Sequence, residues 1–183
     1  LDWSGGTITG TGALTTGGTT NVTSGALLTD KNWTNNGVLN ISTNGQIQLG
    51  GTSATLTNAA AGSIVDTTGA GSPITYSTTS TGKTFANAGT FSKNAGSSVT
   101  QTIDITTNNS GTFNINTGTV RLSSGGTETG AFALAASTVL ESFGSLSMNG
   151  ASLTGAGTFL MSGGTLNVVS AYTQAVTDPK WQV

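Results

Sequence analysis

The stretch GTFNINTGTVRL, Gly111 to Leu122, sets the strongest limit on what this chain can fold into, because its order of glycine, apolar and polar residues returns along the sequence. Apolar residues stand at alternate positions, Phe113 and Ile115, then Val120 and Leu122, with Thr112, Asn114, Thr119 and Arg121 as their neighbours. Alternation with period two puts one set of side chains on each face of a strand, whereas a helix needs apolar spacings of three and four. A glycine turn divides the two halves, so the unit reads as strand, turn, strand, with Phe113, Ile115, Val120 and Leu122 inside.

The same unit appears from Gly37 to Leu49 with one extra turn residue, placing Leu39, Ile41, Ile47 and Leu49 inside. It appears again from Gly157 to Val168, with Phe159, Met161, Leu166 and Val168 in the apolar slots. Weaker copies begin at Gly12, Gly62, Gly89 and Gly130. The seven starting glycines are 25, 25, 27, 22, 19 and 27 residues apart. A repeat of about 20–27 residues made of short strands, with no amphipathic helix, is the signature of a β-solenoid in which each coil pairs with its neighbours. The expectation is an all-β parallel β-helix, residues 1–183 forming a single solenoid domain of about seven coils, stacked at ~4.8 Å into a rod about 34 Å long.

Composition narrows the functions open to such a rod. Charged residues make up only 7% and the net charge is −2, with Lys31, Lys83, Lys93, Arg121 and Lys180 scattered along the chain. That leaves no basic footprint for a phosphate backbone, so no nucleic-acid partner is expected. Cysteine and histidine are absent, which removes disulfides, thiolate metal sites and the commonest general base. No metal or cofactor is expected. No apolar run approaches the roughly 18 residues of a membrane span, so no membrane insertion is expected either. The sequence opens at Leu1 without a leader, as a processed protein or an excised piece would.

A second series precedes several units, in Asn35-Asn36-Gly37, Asn87-Ala88-Gly89 and Asn109-Ser110-Gly111, with Asn58 ahead of Gly62. Asparagine tolerates left-handed backbone angles and bonds to nearby backbone, so these read as stacked corner turns rather than a ligand-binding row. Asp66, Lys93 and Glu141 fall in apolar slots. A bulge or excursion is expected at each, Leu140 taking the inward place if residue 141 is displaced. The glycine-rich stretch from Thr67 to Lys83 reads as the longest loop, and Asp30 with Lys31, like Asp178 with Lys180, as solvated pairs.

Catalysis is not expected. The seven carboxylates, Asp2, Asp30, Asp66, Asp104, Glu128, Glu141 and Asp178, are spread along the chain with no two close in sequence. One arginine with no histidine leaves little to complete a site that stacking might assemble. Calcium-binding turns of the Gly-Gly-x-Gly-x-Asp type are absent. Outward threonines at Thr90, Thr112 and Thr158, and at Thr119, Thr138 and Thr165, suggest a flat hydroxyl surface. Their neighbours two positions on are irregular, which favours ordinary exposed strand residues over ice binding.

The beginning of the chain also returns at its end. Thr7 to Gly12 matches Ser152 to Gly157 at an offset of 145, Gly17 to Val22 matches Gly163 to Val168 at 146, and the Thr29-Asp30…Trp33 run matches Thr177-Asp178…Trp181 at 148. Residues 1–36 thus resemble 146–183, as expected of a module of about 145–148 residues in a tandem array or a head-to-tail filament.

The stretches FANAGTF (Phe85 to Phe91), NNSGTFNINTGTVRL (Asn108 to Leu122) and SLTGAGTFLMSGGTLNV (Ser152 to Val168) resemble the repeats of bacterial filamentous-haemagglutinin-like adhesins and autotransporter passenger regions. The resemblance implies a right-handed parallel β-helix exported to the cell surface, acting as a stalk, fibre or adhesive rod that meets further modules end to end and contacts surface glycans or a host receptor. A carbohydrate-binding or polysaccharide-cleaving β-helix of phage-spike type, and an ice-binding solenoid, stand as alternatives. If the inward and outward sets are assigned correctly, Phe113→Ala costs about 3 to 5 kcal/mol in chemical denaturation while Thr119→Ala costs far less; the reverse order would exchange inside and outside.

Overall fold

A computed structural model describes residues 1–94 and 100–170, together with the backbone of 180–182. Every regular element in the described residues is a β-strand, and the strands form three sheets of eight, nine and eight parallel members. The chain visits the sheets in turn. One coil, from Thr112 to Glu128, runs through 112–115 on the first face, 119–122 on the second and 126–128 on the third. The next begins at Ala131 and pairs with it in register, Phe113 beside Phe132 and Ile115 beside Leu134. Eight such coils make the parallel β-solenoid.

Following one register position of the first face, Trp3, Val22, Ile41, Asp66, Lys93, Ile115, Leu134 and Gly155 lie in one column. The coils between them are unequal, the longest running from Asp66 to Lys93 and the shortest from Trp3 to Val22, Val22 to Ile41 and Ile115 to Leu134. The count is eight rather than seven because the glycine motif changes face. The Gly12 unit occupies the third and first faces, the five units from Gly37 to Gly130 the first and second, and the Gly157 unit the second and third. The first and last motif spacings therefore each span a coil and a third.

Inside, like stacks on like. Leu39, Ile64, Phe91, Phe113, Phe132 and Leu153 form one continuous first-face column, every member buried. The Phe91 and Phe113 rings stack at 4.3 Å between centroids, and Phe113 meets Phe132 at 5.5 Å. Val120, Leu140 and Phe159 line the second face and Leu14, Trp33, Leu56 and Phe85 the third. Each large side chain taken from water contributes about 1.5 to 3 kcal/mol, so the columns supply the cohesion between coils. The motif glycine has a separate cause: a Cβ on Gly111 would lie 2.1 Å from the carbonyl oxygen of Gly89, and one on Gly130 would lie 2.2 Å from that of Gly111. At Gly111 and Gly130 the corner between third and first faces is too tight for any side chain.

The third strand of each coil departs from the strand-turn-strand reading. Asn35, Asn58, Asn87 and Asn109 end strands 33–35, 54–58, 83–87 and 106–109, and all four are buried. They stand at the strand ends beside the corners rather than in the turns, with side chains inward, and Asn35 also bonds nearby backbone, accepting Gly37 N at 3.3 Å and donating to Gly37 O at 3.0 Å. Their amides form a ladder along the axis: Asn35 Nδ2 donates to Asn58 Oδ1 at 2.9 Å, Asn58 to Asn87 at 2.7 Å, and Asn87 to Asn109 at 2.8 Å. The same Nδ2 groups also reach main-chain carbonyls of the following coil, Asn58 that of Thr90 at 3.0 Å and Asn87 that of Thr112 at 3.1 Å. A carboxamide donates and accepts at once, so it can satisfy identical neighbours above and below in a dry interior.

The bulges expected at Asp66 and Lys93 do not form, whereas the one expected before Glu141 does. Asp66 and Lys93 lie inside, in straight strands and in register with each other, so each buried charge faces its opposite in the adjoining coil. Leu140 does take the inward place next to Val120, through one extra residue in the 135–138 turn, where Ser137 adopts φ 65°. Glu141 consequently points outward. The segment read as one loop, Thr67 to Lys83, contains strand 74–76, and Lys83 opens the next third-face strand with its ammonium bonded to the Gly51 carbonyl. Asp30 and Lys31 are not a solvated pair: Lys31 is buried against the Gly12 carbonyl, and Asp30 Oδ1 accepts the Thr52 and Ser53 amides at 2.6 and 3.2 Å. These amides hold the exposed Asp30 carboxyl below its usual range. Asp178 and the Lys180 side chain lie outside the described residues.

Replacing Asn87 by alanine would strip a donor from Asn109 Oδ1 and Thr112 O and an acceptor from Asn58 Nδ2. Urea unfolding of Asn87→Ala is expected to show a loss of about 2 to 4 kcal/mol, against little change for Asn116→Ala at the exposed surface.

Candidate functional site

With the interior filled, chemistry available to a partner must lie on the three outer faces or at the corners. On the first face, Asp2, Asn21 and Asn40 form an outward row, Asn40 Nδ2 donating to Asn21 Oδ1 at 2.9 Å and Asn21 Nδ2 to Asp2 Oδ1 at 2.7 Å. Thr90 and Thr112 are register neighbours on this face. Thr158 is not in their column, since it stands on the second face beside Val139, which in turn neighbours Thr119. Thr138 is buried in a turn and Thr165 lies in a connection, so the threonine slots seen in sequence do not become one surface. The outward row of the third face, Thr15, Thr34, Thr57, Ala86 and Asn108, is small and uncharged. A shallow depression of about 230 Å³ sits at its edge, between Ala86, Asn108, Thr127 and Ser110.

The second face carries the most functional-group chemistry. Arg121 and Glu141 are outward register neighbours, and Arg121 Nη2 meets Glu141 Oε1 at 2.8 Å. Ser162 Oγ also donates to that carboxylate oxygen. Burial pushes the Glu141 carboxyl up, but the bonds from Arg121 and Ser162 and the Arg121 charge outweigh it and leave Glu141 below its ordinary range. It is an ionised, held carboxylate, the wrong state for a general acid. The Arg121 guanidinium also lies over the Phe143 ring at 5.3 Å, beside the only one of the six phenylalanines left substantially exposed, at 49%. Nearby Asp104 accepts Thr75 Oγ1 at 3.1 Å and Ser123 Oγ at 3.2 Å.

Two other carboxyls are shifted the opposite way, and both are inside. Burial raises Asp66 to about 6, partly offset by the Thr68 amide, Gln101 and Lys93. Its Oδ1 accepts Thr68 N at 3.0 Å and Gln101 Nε2 at 3.4 Å, while Oδ2 has no hydrogen-bond partner. Desolvation lowers Lys93, whose Nζ donates to the Thr117 carbonyl at 3.0 Å. The cluster exists because the 67–73 connection is long: the second-face register slips there, Ile74 pairing with Ile103, and Gln101 fills the vacated position by bonding Thr68 O at 3.0 Å and Ala70 O at 3.3 Å. Glu128 continues the asparagine column, accepting Asn109 N at 3.0 Å, and burial raises it to about 8. Shifted pKa values often mark active sites, but neither Asp66 nor Glu128 is exposed to a substrate.

The fold is therefore a three-faced parallel β-solenoid whose ionisable interior groups are structural, with Arg121, Glu141 and Phe143 clustered on its second outer face. Among those residues no group of three or more acidic side chains is placed to hold a metal ion. The sequence matches no family model and no curated protein, and the structure matches no solved structure.

The sequence signal for the ladder was the spacing Trp33-x-Asn35, Leu56-x-Asn58 and Phe85-x-Asn87, which is period two and puts each asparagine on the same side as the apolar residue before it. Glu128 provides a pH test. Its folded pKa of about 8 lies above the ordinary 4.5, so its contribution is fully present below about pH 4.5 and is lost as the pH rises through about 8. Urea unfolding of Glu128→Gln, which keeps the acceptor but cannot ionise, is expected to match the parent chain near pH 4.5 and exceed it by a margin that grows up to pH 8. Parallel curves would refute the assignment.

Proposed function

We propose that this chain is a structural or adhesive rod in an exported fibre on a bacterial cell surface, the role implied by the likeness of its repeats to filamentous-haemagglutinin-like adhesins and autotransporter passengers. The observation that supports the reading best is the continuity of the three sheets through all eight coils, with apolar and amide columns running along the axis. A solenoid stacked in this way gains length by adding coils, each held by its neighbours, and needs no new core at each addition. Glycine corners and short connections keep the outside smooth, and threonine, serine and asparagine dominate its outward rows. Such surfaces suit hydroxyl-rich partners, so surface glycans or a glycosylated receptor are the proposed contacts, with further modules joined end to end.

A carbohydrate-cleaving reading would draw on Asp104, Arg121 and Glu141, which the coil stacking brings to one side of the second face. Glu141 is already committed to Arg121 and Ser162, which favours the rod. A polysaccharide panel decides between them: surface-immobilised chain is expected to retain one or more glycans without releasing reducing ends. Turnover that disappears in Glu141→Gln or Asp104→Asn would make the protein an enzyme. Failure to retain any glycan, together with rods in electron micrographs, would leave a purely structural fibre.

A further inference from the structure

The long-range sequence repeat has a geometric form that only the coil assignment exposes. Strand 6–9 is on the second face and its counterpart 152–155 on the first; strand 14–16 is on the third and 158–161 on the second. Strand 19–22 is on the first and 166–168 on the third, while 33–35 is on the third and 180–182 on the second. All four pairs step back by one face. Pairing is reproduced as well as placement: Leu14 lies beside Trp33 on the third face, and their counterparts Phe159 and Trp181 lie beside each other on the second. Accidental similarity in a glycine- and threonine-rich chain has no reason to keep one step at four strands and to conserve the register between two of them.

The interval from Gly12 to Gly157 comprises a coil and a third, four whole coils, and another coil and a third, or six and two-thirds coils. We infer that this unit propagates by joining a further copy of itself with a rotation of one face, a third of a turn about the rod axis. The inference rests on the rod reading above and names the partner of its end, a second copy of the same repeat. Offset 148 makes Val183 the counterpart of Asn35, so the copy enters at Asn36. Its strand 38–41 then stacks on 166–168 of the third face, as the original 38–41 stacks on 19–22 of the first. In this register the incoming Asn40 stands beside Asn167, repeating the amide contact that Asn40 makes with Asn21 at 2.9 Å. A feature displayed on one face consequently reappears on another in the next copy and returns to its first direction after three, so a rod built this way presents it on every side.

The test is a fusion in which residues 1–183 are followed directly by residues 36–183. The chain contains no cysteine, so introduced thiols report without background. With Asn167→Cys in the first copy and Asn40→Cys in the second, oxidation by a glutathione pair is expected to give a near-complete intramolecular disulfide, because register neighbours lie within the bridging range of about 4.4 to 6.8 Å between Cα atoms. An unrotated junction would carry the second copy's strand 38–41 on the first face, as in the first copy, away from Asn167 on the third, so no bridge would form. Absence of the bridge in a fusion with the parent β-sheet circular dichroism would overturn the proposal, since the copies would then be stacked without the rotation or not form a continuous solenoid. Electron microscopy of the single chain is the separate control: rods there, with no bridge in the fusion, defeat the rotation and leave the rod reading intact, whereas a failure to form rods defeats the reading on which it rests.

Discussion

The structure depends on stacking each coil in register on the last at a single strand spacing, so that every inward side chain must be compatible with the residue one coil above and one coil below. Apolar columns meet this condition by size and shape, as in the run from Phe91 through Phe113 to Phe132. The Asn35–Asn58–Asn87–Asn109 column meets it because one amide can accept from one neighbour and donate to the other. The motif glycines from Gly37 to Gly130 meet it by having nothing to stack, which allows the chain to turn where the carbonyl of the preceding coil already occupies the space. Connection lengths vary freely outside these columns, so the short coil from Val22 to Ile41 and the long one from Asp66 to Lys93 coexist in one rod.

Charge enters this interior only where the same condition can be met by another route. Asp66 and Lys93 occupy one column in adjoining coils, and each is shifted toward its neutral form by loss of water while the other's charge opposes that shift. The cost of burying either alone would be several kcal/mol. Glu128 has no such counter-ion in its column, with Asn109 on one side and Met148 on the other, and it remains protonated through the neutral range. The carboxyls held below their ordinary range, Asp30 and Glu141, face outward and accept hydrogen bonds across coils. Whether a carboxyl faces in or out, more than its position along the chain, sets the direction of its shift.

The repeated motif and the coil are different things, and this explains where reading the sequence succeeded and where it did not. Alternation identified Phe113, Ile115, Val120 and Leu122 as core, and all four are buried. It missed the third strand because that strand ends in an inward asparagine, so an interior position looked like a turn. It located Leu140 as the possible inward residue, since an added turn residue restores the period. The joining of Asp66 to Gln101 was not legible, because it follows from a register slip over the 67–73 connection that no local pattern records.

Sequence alone determined the strand period, the existence of a solenoid and the residues that fill its main columns, because period-two alternation and a returning glycine are local properties that carry directly into backbone geometry. Only the tertiary structure decided how many coils the repeats make, which face each copy occupies, and which polar side chains lie inside. Those depend on the length of every connection summed along the chain, and on the side chain that each coil presents to the next. A residue such as Asn87 or Lys93 becomes an interior residue through the partner stacked upon it, Asn109 or Asp66, and that partner lies a full coil away in the sequence.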